Sequence, residues 1–254
     1  MMGEKQDKRV VPCLDVRDGQ VVKGVQFESI QAVGDPGQLA RKYQKQGARE
    51  LVLLDITATK QNRGPDLGVV REVASTCTAE LTVGGGINSV ERATQTISAG
   101  ASKVSVGSAA VSNPQLICDL SSALGSRAVV VALDAARVNK GDLQWEVCVR
   151  GGKEPTGRGA VEWAQRLVQM GAGEILLTSV DRDGTVDGYD LALVSAISCA
   201  VDVPVIASGG AGTPDDMADA LDAGASAVLA ASIFHFGEYT VGQVERFLSE
   251  RDDR

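Results

Sequence analysis

The chain has 254 residues, 44% hydrophobic and 23% charged, a size and balance that suit one globular domain with a sizeable core. A net charge of −8 and a pI near 4.8 exclude non-specific nucleic-acid binding, which needs a positive field. No apolar run reaches the roughly 20 residues that span a bilayer, and Met1–Arg9 lacks the apolar stretch of a secretory signal, so a soluble cytoplasmic protein is expected.

In chain order, a strand over Val10–Leu14 is followed by a helix over Pro36–Gln46 and a second strand over Leu51–Leu54. A strand over Leu81–Val83 precedes a helix over Ser89–Ala99, and a strand over Val104–Val106 precedes a helix over Pro114–Leu124. Next come a strand over Ala128–Leu133, a helix over Gly159–Met170, and strands over Ile175–Leu177 and Pro204–Ala207. A helix over Pro214–Ala223 and a strand over Ala227–Ala230 close the pattern. The strands are short and β-branched, and the helices place apolar residues three and four apart. Asp35-Pro36, Asn113-Pro114 and Thr213-Pro214 each set proline after an N-cap residue type. Eight near-continuous apolar strands alternating with helices fit a parallel sheet covered on both faces, either a barrel or a doubly wound sheet.

An internal repeat decides for the barrel. Gly47-Ala48 matches Gly171-Ala172, Val83-Gly84-Gly85-Gly86 matches Ala207-Ser208-Gly209-Gly210, Ala99-Gly100-Ala101 matches Ala223-Gly224-Ala225, and Ser108 matches Ser232. All are 124 positions apart (171 − 47, 207 − 83). The expected fold is a single (β/α)₈ TIM barrel over residues 1–254, built from two repeated half-barrels. Cys13-Leu14-Asp15 and Ala132-Leu133-Asp134 form a further pair, 119 apart (134 − 15), each acid ending an apolar strand. In a barrel these are the C-terminal ends of strands one and five, where this fold carries catalysis.

Gly84-Gly85-Gly86 with Gly107-Ser108, and Ser208-Gly209-Gly210 with Ala231-Ser232 beside Asp183-Gly184, then read as two anion cradles built from backbone N–H groups. Two cradles across one mouth suit a substrate with a phosphate at each end, its middle facing Asp15 and Asp134. Glycines after a strand equally mark a tight turn, Asp183 equally a turn residue, and a post-strand Asp equally an N-cap. Asp55 and Asp181 carry weaker cases. His235 and Trp163 read as structural. The five cysteines have no metal-type spacing and read as reduced thiols, and one histidine cannot supply a multi-histidine metal site.

Several blocks are specific enough to resemble a family. Val11-Pro12-Cys13-Leu14-Asp15-Val16, Leu53-Leu54-Asp55-Ile56-Thr57-Ala58, Thr178-Ser179-Val180-Asp181-Arg182-Asp183-Gly184 and Phe234-His235-Phe236-Gly237-Glu238 resemble the cyclase subunit of imidazole glycerol phosphate synthase, over about Val10 to Phe247. The resemblance implies a lyase of histidine biosynthesis. It converts a bis-phosphorylated formimino-carboxamide ribonucleotide (PRFAR) and ammonia to imidazole glycerol phosphate and an aminoimidazole carboxamide ribonucleotide (AICAR). It implies Asp15 and Asp134 as the acid–base pair, and substrate contacts from Lys23, Gly86, Gly107, Ser108, Thr178, Asp183, Gly184, Ser208, Gly210, Ala231 and Ser232. Lys23 lies in a long loop after strand one that resembles a mobile lid. Arg9, Glu50, Lys103 and Glu174 match a charged ring that gates ammonia delivered by a glutaminase subunit in a heterodimer. Ordinary salt bridges closing the barrel base are the plainer reading of that ring. No metal or organic cofactor is implied.

Three positions depart from the pattern. Gly107 stands where the family has Asn, which implies substrate binding weaker by about 1 kcal/mol. Ser102 and Arg127 stand where Asp and Gln are usual on the partner-facing side, so ammonia-dependent cyclisation is expected to survive better than glutamine-dependent activity. The alternatives are a divergent barrel enzyme on another phosphorylated sugar, or a non-catalytic activator of a glutaminase.

Overall fold

The computed structural model describes residues 9–25, 28–139 and 144–252; the polar start Met1–Lys8, included in the expected domain 1–254, lies outside them. Chain order is β1 (Arg9–Arg17), the hairpin pair β2 (Gln20–Val25) and β3 (Glu28–Gly34), α1 (Pro36–Lys45), β4 (Glu50–Asp55), α2 (Leu67–Thr76), β5 (Glu80–Gly84), α3 (Val90–Ser98), β6 (Lys103–Val106), the short α4 (Ser108–Ser112) and α5 (Gln115–Leu124). The second half repeats it: β7 (Val129–Arg137), the hairpin pair β8 (Trp145–Val149) and β9 (Glu154–Gly159), α6 (Ala160–Gln169), β10 (Glu174–Ser179), α7 (Leu191–Ser198), β11 (Val205–Ser208), α8 (Pro214–Asp222), β12 (Ala227–Ala230), the short α9 (Ser232–His235) and α10 (Val241–Asp252).

Strands β1, β4, β5, β6, β7, β10, β11 and β12 pair in parallel in that order, and the β12–β1 pairing closes the ring. All eight strands expected from the sequence are these, so the (β/α)₈ barrel stands. No helix among the described residues is long and apolar enough to cross a membrane.

The two-residue period of a strand sorts the side chains into two cores. Val10, Leu14 and Val16 of β1 pack outward with the helices, whereas Val11 and Cys13 point inward with Val52, Val130, Leu176, Ile206, Ala227 and Leu229. Extending the inward period places Arg9 at the start and Asp15 at the end of the inner face of β1. The same parity on β7 runs from Val130 to Asp134, and on β10 from Glu174 through Leu176 to Thr178. Charge therefore sits at both ends of the barrel axis, with apolar packing between.

The repeat extends to backbone conformation. Gly47 and Gly171 have φ of 111° and 105°, Gly85 and Gly209 of 107° and 91°, and Gly100 and Gly224 of 113° and 109°. Helix caps follow the same spacing: Asp66 and Asp190 cap α2 and α7, and Ser89 and Thr213 cap α3 and α8. Asp35 caps α1 through the Gln38 N–H at 2.8 Å, but Asn113 departs from expectation. It ends α4, and α5 starts with Pro114 in the cap position and no side-chain cap bond.

The hairpins were not foreseen. The stretch around Lys23, read as a long loop, is instead the β2–β3 hairpin, interrupted by register shifts near Lys23. A second hairpin, β8–β9, follows β7. Their lengths explain the short spacing of the acids: α1 and α6 start 124 positions apart (160 − 36), so the second half gains its five extra residues between Asp134 and α6. Both tryptophans, Trp145 and Trp163, are buried against this second hairpin region. Arg137 stacks over Trp145 at 5.1 Å, and Arg158 of β9 over Trp163 at 4.9 Å.

Candidate active site

Asp15 and Asp134 end barrel strands that lie four places apart around the eight-strand ring, so they face each other across its C-terminal mouth. Asp15 is one quarter exposed; its Oδ2 lies 3.9 Å from the Lys23 ammonium, and its Oδ1 accepts a 3.5 Å hydrogen bond from the Cys13 thiol. Burial raises the Asp15 pKa, Lys23 opposes the shift, and the charge of Asp183 reinforces it. Asp134 goes further: burial and Asp183 push it up to about 6, against a backbone N–H donated by Gly152. A carboxyl titrating there exchanges protons near neutral pH. Burial also lifts the Cys13 thiol well above its ordinary range, which leaves it protonated and unreactive.

Asp183 is thus felt by both acids. It sits in the turn after β10, where its N–H donates to the Ser179 carbonyl at 3.0 Å and Gly184 follows with φ of 77°. Thr178 and Ser208 are register partners at the ends of β10 and β11, both half-buried at the rim. Asp55 and Asp181 have structural duties. Asp55 binds Arg63 at 2.5 and 3.0 Å and caps Thr57, Ala58 and Asp66 N–H groups, while Asp181 accepts from the Arg137 N–H at 2.8 Å.

The glycine runs have a packing cause of their own. A Cβ at Gly86 would strike the Arg63 carbonyl oxygen, one at Gly210 that of Gly188, and one at Gly209 would come within 2.7 Å of the Ser179 oxygen. The Gly86 N–H also donates to Thr59 Oγ1 at 3.2 Å. The tight-turn reading therefore accounts for these glycines without a ligand. What remains for anion binding is the shared placement of Gly107-Ser108 and Ala231-Ser232, where α4 and α9 begin at the mouth. Ser108 Oγ accepts from the Arg150 N–H at 3.1 Å.

At the opposite end the four expected charges do assemble. Arg9 donates to both Glu50 oxygens at 2.8 and 2.9 Å and to Glu174 at 2.8 Å; Lys103 bonds Glu174 at 2.9 Å and lies 3.7 Å from Glu50. Burial disfavours the Arg9 and Lys103 charges, yet the two glutamates outweigh it and raise both pKa values. Glu80 joins at 3.7 Å from Lys103, a member that sequence reasoning missed although it too starts a barrel strand. Ser102 is exposed beside this base, its Oγ accepting the Leu81 N–H at 3.2 Å, and Arg127 is exposed.

Two further residues at the mouth escaped the sequence: Gly152, donor to Asp134, and Arg150, donor to Ser108. The signal was present in Arg150-Gly151-Gly152, a glycine run after a strand like the others. His235, read as structural, is buried and bonds Tyr43 Oη through Nδ1 at 2.5 Å; Trp163 is likewise buried.

A closed parallel barrel with opposed carboxylates at the C-terminal strand ends defines a (β/α)₈-barrel protein of the enzyme type. The model of the family described as "Histidine biosynthesis protein" matches residues 9–240, and the chain belongs to that family. Members of this family are histidine-pathway enzymes, isomerases or cyclases.

Proposed function

We propose that the chain is the cyclase, the ammonia-using subunit of imidazole glycerol phosphate synthase, acting on PRFAR. The observation that carries the choice over the isomerase is the charged ring at the base. An isomerase with two acids needs nothing there, whereas an enzyme fed with ammonia along its axis needs a polar, closable end. Arg9, Glu50, Lys103 and Glu174 satisfy one another while leaving a small neutral molecule the easiest species to pass.

The substrate lies across the mouth, one phosphate at Gly107-Ser108 and the other at Ala231-Ser232, with Gly86, Thr178, Asp183, Gly184, Ser208 and Gly210 shaping the floor. Ammonia attacks the ribulosyl carbonyl, and loss of water gives an imine. Asp134, protonated into the near-neutral range, supplies the proton to the departing oxygen. Asp15, beside the Lys23 ammonium, accepts the nitrogen's proton. Ring closure then expels AICAR, and acids on both sides let each proton move without crossing the substrate. A glutaminase docked at the base would supply the ammonia in a heterodimer. Ser102 and Arg127 on that side should make glutamine-driven turnover weaker than ammonium-driven turnover.

The test is conversion of PRFAR by the purified chain at near-neutral pH, where Asp134 still carries a proton, with ammonium salt in large excess to supply free ammonia. Turnover abolished in both Asp15→Asn and Asp134→Asn is the expected result. A folded chain that binds PRFAR but consumes no ammonia would return the choice to an isomerase, to another phosphorylated-sugar enzyme, or to a non-catalytic activator of a glutaminase.

A further inference from the structure

Each cradle is flanked by one of the two hairpins. The β2–β3 hairpin carries Lys23, whose charge reaches His235 in α9, the helix that starts at Ser232. The β8–β9 hairpin lies over the other cradle, and its turn is fastened to Ser108 by the 3.1 Å bond from the Arg150 N–H.

Three successive residues in this turn are left-handed: Arg150, Gly151 and Gly152, with φ of 56°, 69° and 75°. Glycine occupies the second and third places, where the conformation is free. The first is held by a long cation for which the conformation is costly. Below it, Gly107 brings no side chain to the cradle, although its φ of −108° would allow one. A Cβ there would meet its nearest neighbours, Ala132 Cβ and O, at 3.4 Å. A serine hydroxyl has one proton and two acceptor positions, so Ser108 can hold the Arg150 N–H and still donate to an anion. In a protein of net charge −8, an anion at this rim needs a local cation. The Arg150 side chain is 65% exposed and pairs with Glu154 at 3.0 Å, a surface contact that is readily exchanged for a phosphate.

We propose that the Arg150–Gly152 turn is the outer wall of the first cradle and that Arg150 is its phosphate-binding cation, the counterpart of Lys23 at the second. The inference rests on the two-cradle reading of the mouth. Arg150 then sets affinity for one end of the substrate, and Gly152 in the same turn touches Asp134.

Inorganic phosphate titrated into the labelled chain, followed by the amide signals of Ser108 and Ser232, tests it without need of turnover. Arg150→Met should weaken the Ser108 site about tenfold, the scale of one charge-assisted hydrogen bond, and leave Ser232 unchanged. Arg150→Lys should keep part of the affinity, and Gly107→Asn in the Arg150→Met background should restore part by a donor from below. With PRFAR and ammonium the Met variant should raise KM about tenfold and change kcat little. An unchanged Ser108 affinity in Arg150→Met overturns the role of Arg150 and leaves the cyclase standing. A wild-type chain whose signals move at neither serine overturns the cradles and this inference together. Phosphate binding as described, without conversion of PRFAR, keeps Arg150 and removes the cyclase.

Discussion

Asp134 shows how a single side chain is set against the stability of its own fold. Its carboxyl is pushed up to about 6 by burial, with Asp183 adding to the shift. The folded state therefore holds a proton that the unfolded chain releases near pH 4, and stability falls as pH rises through the interval between them. Above pH 6 the ionised group costs about 2–3 kcal/mol, by the usual conversion of pKa shift to free energy. Asp134→Asn should accordingly raise the melting temperature at pH 8 and match the wild type at pH 4, in melts recorded side by side; a variant that is less stable at pH 8 contradicts this. The acid itself was legible, because a carboxylate ending an apolar strand at a repeated position has few structural explanations. Its partners were not. Gly152 and Arg150 reach the mouth only once β8 folds back on β7, so the glycine run Arg150-Gly151-Gly152 showed a turn but not which acid it would meet.

At the level of elements, the eight barrel strands and helices α1, α3, α5, α6 and α8 were legible from periodicity, and the barrel from the repeat; α2, α7 and α10 were not among the helices read. The hairpins were not, since Gly24 and the register shift near Lys23 interrupt the alternation that marks a strand. The glycine runs were legible as conserved spacing within the chain, but their cause proved to be the close passage of neighbouring loops as much as any ligand. The short α9 is anchored to α1 by the buried Tyr43–His235 bond. Burial, then Lys23 and Lys42, lower the His235 pKa to about 4. Neutral His235 therefore contributes stability that is full above its ordinary value near 6.5 and is lost as pH falls through 4, up to about 3 kcal/mol. Compared at each pH, His235→Gln should be the less stable protein at pH 7.5 and should close most of that gap by pH 4. A gap that stays constant with pH would mean that the imidazole does not titrate there. Because α9 opens at Ser232, loosening this anchor should also weaken phosphate at the second cradle.

Over the whole molecule, charge is divided along the barrel axis: two opposed carboxylates at one end, a closed ionic ring at the other, and an inner apolar layer of Val11, Val52, Val130, Leu176 and Ile206 between. Glu174, with its side chain only 4% exposed, is the most buried of the four and hydrogen-bonds both cations. Glu174→Gln should leave Arg9 and Lys103 undercompensated and cost about 2–3 kcal/mol, somewhat less than a fully buried broken pair because both cations keep some solvent. Chemical denaturation measures that cost, and no shift in midpoint would show the ring to be slack. If the ring gates ammonia, the same variant should depress glutamine-driven turnover with an authentic partner more than ammonium-driven turnover; equal losses would confine the ring to holding the base together.

The placement of the indoles has a spectroscopic consequence. Trp145 opens the second hairpin and Trp163 lies under its far strand, and the chain contains no other tryptophan. Intrinsic emission thus reports on the second hairpin alone. Phosphate or substrate arriving beneath Arg150 should change its intensity or wavelength, while movement of the Lys23 hairpin should leave it dark. An unlabelled, unmutated sample can therefore tell whether the second hairpin responds to a ligand, and a stopped-flow trace can tell how fast.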